Sequence, residues 1–130
     1  MSSLCKLNWI CLTHLDLRSC GLGSAGIVSL ADAAESSKRN GTGLSVIDLS
    51  ANDLGPESGD DLGRVLSATP SLRELRLRGC RLCDQGIGGL IGGLASHPGL
   101  AQLDLGDNGL KEDCGWEFYF HDNQNIKRFR

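Results

Sequence analysis

Two cysteines lie at a spacing that occurs both in zinc sites and in redox pairs. Cys80 and Cys83 form a Cys-x-x-Cys element, and Cys114 follows further along the chain. A structural zinc ion needs four protein ligands, and the sequence contains no second Cys-x-x-Cys and no His-x-x-x-His to complete the set. The spacing alone therefore predicts neither a metal site nor a redox site, and no cofactor is expected.

Nucleophilic catalysis would need a serine or cysteine beside a histidine and an acid. The three histidines do not suggest such a group, because His14 lies in a strand pattern, His97 precedes a proline and His121 lies near the C-terminus. The sequence also lacks a Gly-x-Ser-x-Gly element and a Gly-x-x-x-x-Gly-Lys-Ser/Thr phosphate loop. We therefore interpret the histidines as surface or loop residues and do not expect an enzyme.

Charged residues recur along the chain at nearly constant intervals. Asp16, Asp48, Arg76 and Asp104 are spaced 32, 28 and 28 residues apart, and each follows a leucine or an isoleucine. Charged groups repeated in this way form a recognition surface if the fold brings them into one row. The residues around them indicate the elements that would do so.

Four segments align when the sequence is compared with itself at this interval. They start at Leu12, Leu44, Leu72 and Leu100, and each fits Leu-x-x-Leu-x-Leu-x-x-Asn/Cys-x-Leu, with Ile47 the only substitution. The alternating apolar positions indicate a strand with one buried face. One strand cannot bury that face alone, so successive copies are expected to stack into a parallel sheet.

A helical pattern follows each of the first three strands. Apolar residues recur there at spacings of three and four, which directs one apolar stripe of each helix toward the sheet. Pro70 and Pro98 lie where the second and third helices should already have ended. The stripes contain Ile27, Leu30, Ala31 and Ala34, then Leu62, Val65 and Leu66, then Ile87, Leu90, Ile91 and Leu94.

These segments resemble the leucine-rich repeats of the ribonuclease-inhibitor-like subfamily, which also supplies the sensing arrays of intracellular immune receptors. The 28-residue repeat leaves room for a full helix, and the ninth position alternates as Cys20, Asn52, Cys80 and Asn108. The resemblance implies an α/β fold, a right-handed solenoid with about four short parallel strands on its concave side and helices on its convex side. It further implies that the ninth side chain points inward, so that Cys20 and Cys80 are structural thiols.

The repeats divide the chain into three parts. Residues 1–11 are expected to form an N-terminal flank or partial cap, and residues 12–115 form four repeats that start at 12, 44, 72 and 100. Residues 116–130 are expected to form an aromatic and basic C-terminal tail or cap, which contains five of the six aromatic residues and in which residues 121–130 match no repeat. The sequence leaves open whether this tail covers the end of the core.

Arrays of this type usually bind partners through the third, fifth and seventh strand positions, which face solvent inside the curve. Arg76 would then lie between two carboxylates, whereas Asp16 and Asp48 would repel each other unless the histidine or arginine of the first strand relieves them. We predict a binding surface with Arg76 and Arg78 central, since arginine is favoured at hot spots. The candidate binding residues are His14, Asp16, Arg18, Asp48, Ser50, Glu74, Arg76, Arg78, Gln102 and Asp104.

Composition narrows the partner classes and the compartment. A formal charge of -3 gives no electrostatic reason to expect binding to nucleic acid or to an anionic membrane, and no apolar stretch approaches the length of a membrane span. The N-terminus is broken by Lys6 and Asn8, so it is a poor signal peptide and favours a cytoplasmic or nuclear protein. Within the polar stretch 35–43, a predicted loop, we interpret the sequon at Asn40 as a surface turn.

The sequence therefore predicts a non-catalytic module that binds a protein partner, as a monomer or as part of a larger array. The alternative is a structural fragment or short isoform of a longer array without binding activity of its own. The third helix carries the extra glycines Gly88, Gly89, Gly92 and Gly93, each of which costs about 1 kcal/mol relative to alanine. We expect this helix to fray most easily, and slower hydrogen exchange there than in residues 58–68 would contradict that expectation.

Overall fold

The strand pattern forms one parallel sheet in the computed structural model, which describes residues 12–37, 43–109 and 128–129. Within these ranges, five short strands lie in sequence order across the sheet. They are β1 (His14–Asp16), β2 (Val46–Asp48), β3 (Glu74–Arg76), β4 (Gln102–Asp104) and β5 (Arg128–Phe129). Helices follow the first three strands, namely α1 (Ser24–Ser37), α2 (Gly59–Ala68, after a 3-10 turn at Pro56–Ser58) and α3 (Cys83–Ser96).

The register of the sheet follows the repeat alignment residue for residue. Leu15 pairs with Ile47, Ile47 with Leu75, and Leu75 with Leu103. Backbone hydrogen bonds of 2.8 to 2.9 Å between neighbouring repeats continue the ladder by one residue past the first three strands. The predicted α/β solenoid of parallel strands backed by helices is confirmed.

The core lies between the sheet and the helices. The predicted helix stripes are buried, except that Ile91 is partly buried and packs against the core. Leu15 and Leu22 of the first repeat keep 9% and 8% of their surface exposed, whereas Ile47 and Leu54 of the second keep 0% and 1%. The inner repeats therefore bury their apolar residues more completely than the first, because a neighbour covers them on both sides.

Each strand is followed by a turn with the same backbone conformation. The eighth position of every repeat has a positive φ, with values of 51° at Ser19, 60° at Ala51, 67° at Gly79 and 55° at Asp107. This left-handed conformation costs a residue with a side chain about 1 to 2 kcal/mol. Its recurrence shows that the turn from strand to helix side is imposed by the stacking of the repeats.

The C-terminal tail adds a strand that the sequence did not predict. β5 pairs in parallel with β4, so that Gln102 lies opposite Arg128 and Leu103 opposite Phe129. This register is an offset of 26 residues, which aligns Ile126 in sequence with the first leucine of a repeat. The predicted sheet of about four strands is confirmed for the four repeats, and β5 extends it by one short strand from the tail.

The connection after α1 is shorter than predicted. The polar stretch 35–43 was expected to be a loop, but α1 continues through Ser37. The sequon at Asn40, the N-terminal flank and residues 110–127 lie outside the described residues. In the described part of the chain, no helix is long and apolar enough to cross a membrane.

Helices α2 and α3 approach each other through glycines. A β-carbon placed on Gly93 would lie 2.7 Å from the α-carbon of Gly63, and one placed on Gly59 would collide with the carbonyl of Gly86. These distances are shorter than any real contact of a side chain, so glycine is required where the two backbones touch. The contact contains Gly59 and Gly63 of α2 and Gly86, Gly89 and Gly93 of α3.

Helices α1 and α2 are joined by charged side chains as well as by the core. The guanidinium of Arg64 donates to Asp32 at 2.6 Å and to Glu35 at 2.8 Å across the two helices, and to Asp61 within α2 at 2.9 Å. Hydrogen bonds to Glu35, Asp32 and Asp61 raise the pKa of Arg64. One arginine thus ties two neighbouring repeats at the helix surface.

Candidate interaction surface on the strands

Two asparagines fix the loops that carry the polar strand positions. Oδ1 of Asn52 accepts hydrogen bonds from two amides of the preceding loop at 3.0 Å, and its Nδ2 donates to the carbonyls of Leu17 and Leu49 at 2.8 and 2.9 Å. Asn108 makes the same four contacts with the third repeat and its own strand. Each asparagine therefore satisfies buried backbone groups of two successive repeats, which holds their strands in register.

The ninth-position cysteines differ from each other. Cys80 is buried, its Sγ donates to the carbonyl of Leu49 at 3.2 Å, and burial raises its pKa to about 11. The prediction of a structural thiol is confirmed for Cys80. Cys20 is exposed, and its Sγ lies 3.4 Å from the carbonyl of Arg18 in its own loop. Cys20 therefore bonds to loop backbone as predicted but is not buried, because among the described residues no repeat packs in front of it.

The Cys-x-x-Cys element does not form a metal site with its described surroundings. Cys80 and Cys83 are both free thiols, and Cys83 begins α3 with a positive φ of 57°. In the described ranges, no three histidine, cysteine or acidic side chains converge on one point where an ion would bind. Cys114, the third cysteine considered for such a site, lies outside those ranges.

A glycine element at the start of α1 has the Gly-x-Gly-x-x-Gly spacing of dinucleotide-binding turns, which the sequence search did not identify. It consists of Gly21, Gly23 and Gly26. The amide of Leu22 within it donates to Asn52, and a β-carbon on Gly26 would lie 2.8 Å from the side chain of Leu22. These glycines serve the repeat itself, since the loop amide is bonded internally and the close approach is to the core.

The side chains at the third, fifth and seventh positions of the four repeats lie on one surface along β1 to β4, which we call the strand face. The parallel register brings all ten candidate binding residues to it. Six of the ten are exposed, three are half-buried, and Asp48 is buried with 6% of its surface exposed. The strand face contains His14, Asp16, Arg18, Val46, Asp48, Ser50, Glu74, Arg76, Arg78, Gln102, Asp104 and Gly106.

The predicted repulsion between Asp16 and Asp48 is relieved by Arg18. Its guanidinium bonds to both carboxylate oxygens of Asp16, at 3.0 and 2.9 Å, and its Nε lies 3.6 Å from Oδ2 of Asp48. The hydrogen bonds from Arg18 lower the pKa of Asp16, and the same bonds raise the pKa of Arg18. His14 instead lies 3.1 Å from the hydroxyl of Thr13 through its Nδ1.

The two central arginines are each held by carboxylates. Arg76 bonds to Glu74 through Nε and lies 3.7 Å from Asp48. Arg78 lies 3.4 Å from Asp104 and 2.9 Å from Asp107, and the charge of Asp104 raises its pKa. The register places Arg76 between two aspartates as predicted, yet the arginine that reaches Asp104 is Arg78. Asp107 was missed because it occupies the eighth position, in the turn.

Glycine at the seventh position of the fourth repeat allows this arrangement of Arg78. A β-carbon on Gly106 would lie 2.5 Å from Cζ of Arg78, so the guanidinium rests where another repeat carries a side chain. Sequence reasoning did not count Gly106 among the candidate binding residues. Because Gly106 has no side chain, the guanidinium of Arg78 can reach Asp107 in the following turn.

A cleft of about 320 Å³ opens on the strand face across β1, β2 and β3. Asp48 is its most buried polar residue. Val46 contributes aliphatic surface that sequence reasoning did not count as part of the site. The lining residues are His14, Leu15, Asp16, Arg18, Val46, Asp48, Glu74 and Arg76.

His97 lies away from this surface and is buried. Its Nδ1 accepts hydrogen bonds from the amides of Gly99 at 3.2 Å and Leu100 at 3.0 Å, and its Nε2 lies 2.9 Å from the carbonyl of Thr69. These contacts fix the neutral tautomer with the proton on Nε2. His97 is a loop residue as predicted, but its role is to satisfy backbone groups of two adjacent repeats.

Comparison with known proteins gives two matches. A family model described as Leucine Rich repeat matches residues 10–31. Over 100 residues the chain is 34% identical to the ribonuclease inhibitor of Sus scrofa, in an alignment that covers 76% of this chain and 21% of that protein. The chain thus spans about a fifth of the length of the curated relative that it matches.

Proposed function

Because the chain is a leucine-rich repeat protein of the ribonuclease-inhibitor-like type, we propose that it is a non-catalytic module that binds a protein partner through its strand face. The observation that carries the proposal is the ladder of ion pairs on that face. Arg18, Arg76 and Arg78 are about half exposed, and each lies against at least one carboxylate of the same surface.

This arrangement suits protein recognition for two reasons. Arginines that are already held by neighbours lose less side-chain entropy on binding than free ones. They also stand on a sheet whose register is fixed by the buried asparagines, so their relative positions are constant. A polar face with ordered arginines provides the kind of group that dominates binding energy at protein interfaces.

The compartment we propose is the cytoplasm or the nucleus. Cys20, Cys80 and Cys83 are free thiols, and free thiols are typical of a reducing compartment. Since the porcine relative is named as an inhibitor of ribonuclease, a ribonuclease is one partner to assay.

The test is a double truncation of Arg76 and Arg78 to alanine. Partners captured by the wild-type chain are quantified for both proteins, and thermal unfolding is measured in parallel. We expect capture to fall at least roughly tenfold, since hot-spot arginines cost 2 kcal/mol or more on truncation, while the unfolding temperature changes little because the ion pairs are exposed. Arg64→Ala on the helix side is the matched control. Unchanged capture by the double variant would move the binding surface elsewhere.

A second candidate function is that of a stacking segment in a longer array. It is favoured by the first repeat, whose Leu15 and Leu22 are the most exposed of the core leucines. Size-exclusion chromatography with light scattering separates the two candidates. A monodisperse monomer supports the binding module, whereas self-association through uncovered leucines supports the stacking segment.

A further inference from the structure

The cleft over β1, β2 and β3 has the features of a pocket for one side chain of a partner. We propose that it receives a tyrosine, whose ring enters the cleft and whose hydroxyl donates a hydrogen bond to Oδ2 of Asp48. The inference rests on the proposed function and names the group that the partner inserts.

The first argument is the acceptor capacity of Asp48. Its Oδ1 accepts a hydrogen bond from the amide of Ser50 at 3.0 Å. Its Oδ2 is approached by Nε of Arg18 at 3.6 Å and by Nη1 of Arg76 at 3.7 Å, both beyond hydrogen-bond reach. Oδ2 is ion-paired with both guanidinium groups, but no donor among the described residues lies within hydrogen-bond distance of it, so it can accept a hydrogen bond from a donor delivered through the cleft.

The second argument concerns the charge of that donor. Two guanidinium groups already flank Oδ2, and a third cation would have to sit close to both of them, where like charges repel. Arg18 is ion-paired with Asp16, and Arg76 with Glu74. Neither guanidinium can move away from Asp48 to make room for an incoming cation without breaking its own ion pair. A neutral donor such as a hydroxyl meets the acceptor without that repulsion.

The third argument is the size and character of the cleft. A volume of about 320 Å³ is far larger than a serine or threonine side chain requires. Val46 offers aliphatic contact, and the guanidinium groups of Arg18 and Arg76 favour the electron-rich face of an aromatic ring. Tyrosine combines a large apolar ring with one neutral donor at its tip.

The experiment uses small neutral probes on the whole chain. N-acetyl-tyrosine amide, N-acetyl-phenylalanine amide and N-acetyl-lysine amide are titrated while backbone amide shifts are followed by NMR. We expect millimolar binding of the tyrosine probe, with shifts centred on Val46, Asp48 and Ser50. The phenylalanine probe should bind roughly tenfold more weakly, because it lacks the hydrogen bond to a charged acceptor. Equal binding of these two probes, tighter binding of the lysine probe, or no shift at these amides would each overturn the proposal.

A pair of matched variants places the contact on one oxygen. Asp48→Asn keeps an oxygen for the amide of Ser50 and turns an NH₂ group toward the cleft, so the preference for the tyrosine probe should fall, because the phenol can then only accept a weaker, uncharged hydrogen bond. Asp61→Asn is the control, since Asp61 pairs with Arg64 on the helix side, away from the strand face. A loss of the tyrosine preference in Asp61→Asn, or an undiminished preference in Asp48→Asn, would contradict the assignment.

The outcomes distinguish this inference from the proposed function. If the probes fail the test while the Arg76 and Arg78 double variant still loses its partner, the strand face binds protein but the tyrosine pocket is wrong. If the probes behave as expected while the double variant captures as much partner as the wild-type chain, the tyrosine pocket is supported and the arginine-centred interface is wrong. The comparison of probes on the wild-type chain needs no variant to fold.

Discussion

Two junctions between repeats differ in the chemistry that joins them. Between the first and second repeats, Asn52 makes three directional hydrogen bonds near the strands and Arg64 bridges the helices with ion pairs. Between the second and third, Cys80 contributes one S–H bond to Leu49, and the helices touch through glycine backbones. The same repeat unit is thus joined once by polar bonds and once by close packing.

The difference teaches where each junction tolerates change. Long charged side chains at the first junction adjust their rotamers when a partner is lost, and water replaces part of what they contributed. Backbones in contact at the second junction have no side chain to move, so added volume must displace a whole helix. The first junction is therefore stabilised by hydrogen bonds and ion pairs, and the second by close packing of helix backbones that carry no side chain at the contact.

Gly93→Ala should produce the largest effect on this comparison. The added methyl group would lie 2.7 Å from the α-carbon of Gly63 and 2.9 Å from its carbonyl oxygen. We expect a net loss of about 2 to 3 kcal/mol in the free energy of unfolding, because overpacking outweighs the gain in helix propensity. Urea unfolding followed by circular dichroism measures it. A neutral or stabilising result would mean that the helices are not in backbone contact.

Gly92→Ala is the matched substitution one residue away, and it should have the opposite sign. Nothing lies within 4 Å of a β-carbon at this position, which is exposed. We expect a gain of about 0.5 to 1 kcal/mol, because alanine restricts the unfolded chain and favours the helix. The same urea experiment detects it. Destabilisation here would show that α3 tolerates no side chain on either face.

Arg64→Ala tests the polar junction and should have a small effect. The substitution removes ion pairs to Asp32, Glu35 and Asp61, which are all at least partly exposed. We expect a loss of no more than about 1 kcal/mol, and a smaller one in high salt because exposed pairs are screened. Unfolding curves at low and high salt give both values. A loss as large as that of Gly93→Ala would remove the distinction between the junctions.

The alkylation rate of the Cys80 thiol measures how well the second junction is packed. Ionisation of this thiol should not change the free energy of unfolding near neutral pH. Its raised pKa of about 11 predicts slow alkylation at pH 8, where exposed Cys20 reacts readily. Because the unfolded thiol ionises first, near pH 8.5, the contribution of Cys80 to stability is complete below that pH and declines toward pH 11. Peptide-resolved mass spectrometry after timed alkylation gives the rates. Gly93→Ala should speed the labelling of Cys80, whereas Arg64→Ala should not.

Much of the fold follows from the sequence because the repeat encodes it locally. The leucines at fixed positions identify the strands, and the ordered spacing gives the sheet register. The roles of Asn52 and Asn108 agree with the resemblance because the ninth position has one geometry in every inner repeat. The exposure of Cys20 could not be predicted in this way, since it depends on what lies beside the first repeat rather than on the repeat pattern itself.

The glycine contact was hidden from the sequence for a geometric reason. Gly59 and Gly63 do not align with Gly89 and Gly93 when the repeats are superposed, so the alignment shows no shared position. Their common spacing of four residues is a signal that was available, because it places both pairs on single helix faces. The expected fraying of α3 stays a prediction, although three of its glycines now have a packing role.

The candidate site was predictable as a row but not as a pocket. Strand periodicity identified which residues share the face, including Asp48 between Asp16 and Arg76. It could not indicate that Arg18 and Arg76 would stop short of Oδ2 of Asp48, because that depends on rotamers set by Asp16 and Glu74. The distances from the two guanidinium groups to Oδ2 of Asp48 decide whether that oxygen accepts a hydrogen bond within the protein or can accept one from a partner.

The alternation of asparagine and cysteine has a consequence for how such a chain changes length through duplication of its gene. Asn52 and Asn108 each reach back to the preceding repeat, and Cys80 does so with a single bond. Copying one repeat would place two residues of the same kind in succession and create a junction of a type that the array does not contain. Copying two successive repeats reproduces both junctions, so a duplicated pair would add length without creating a new kind of junction.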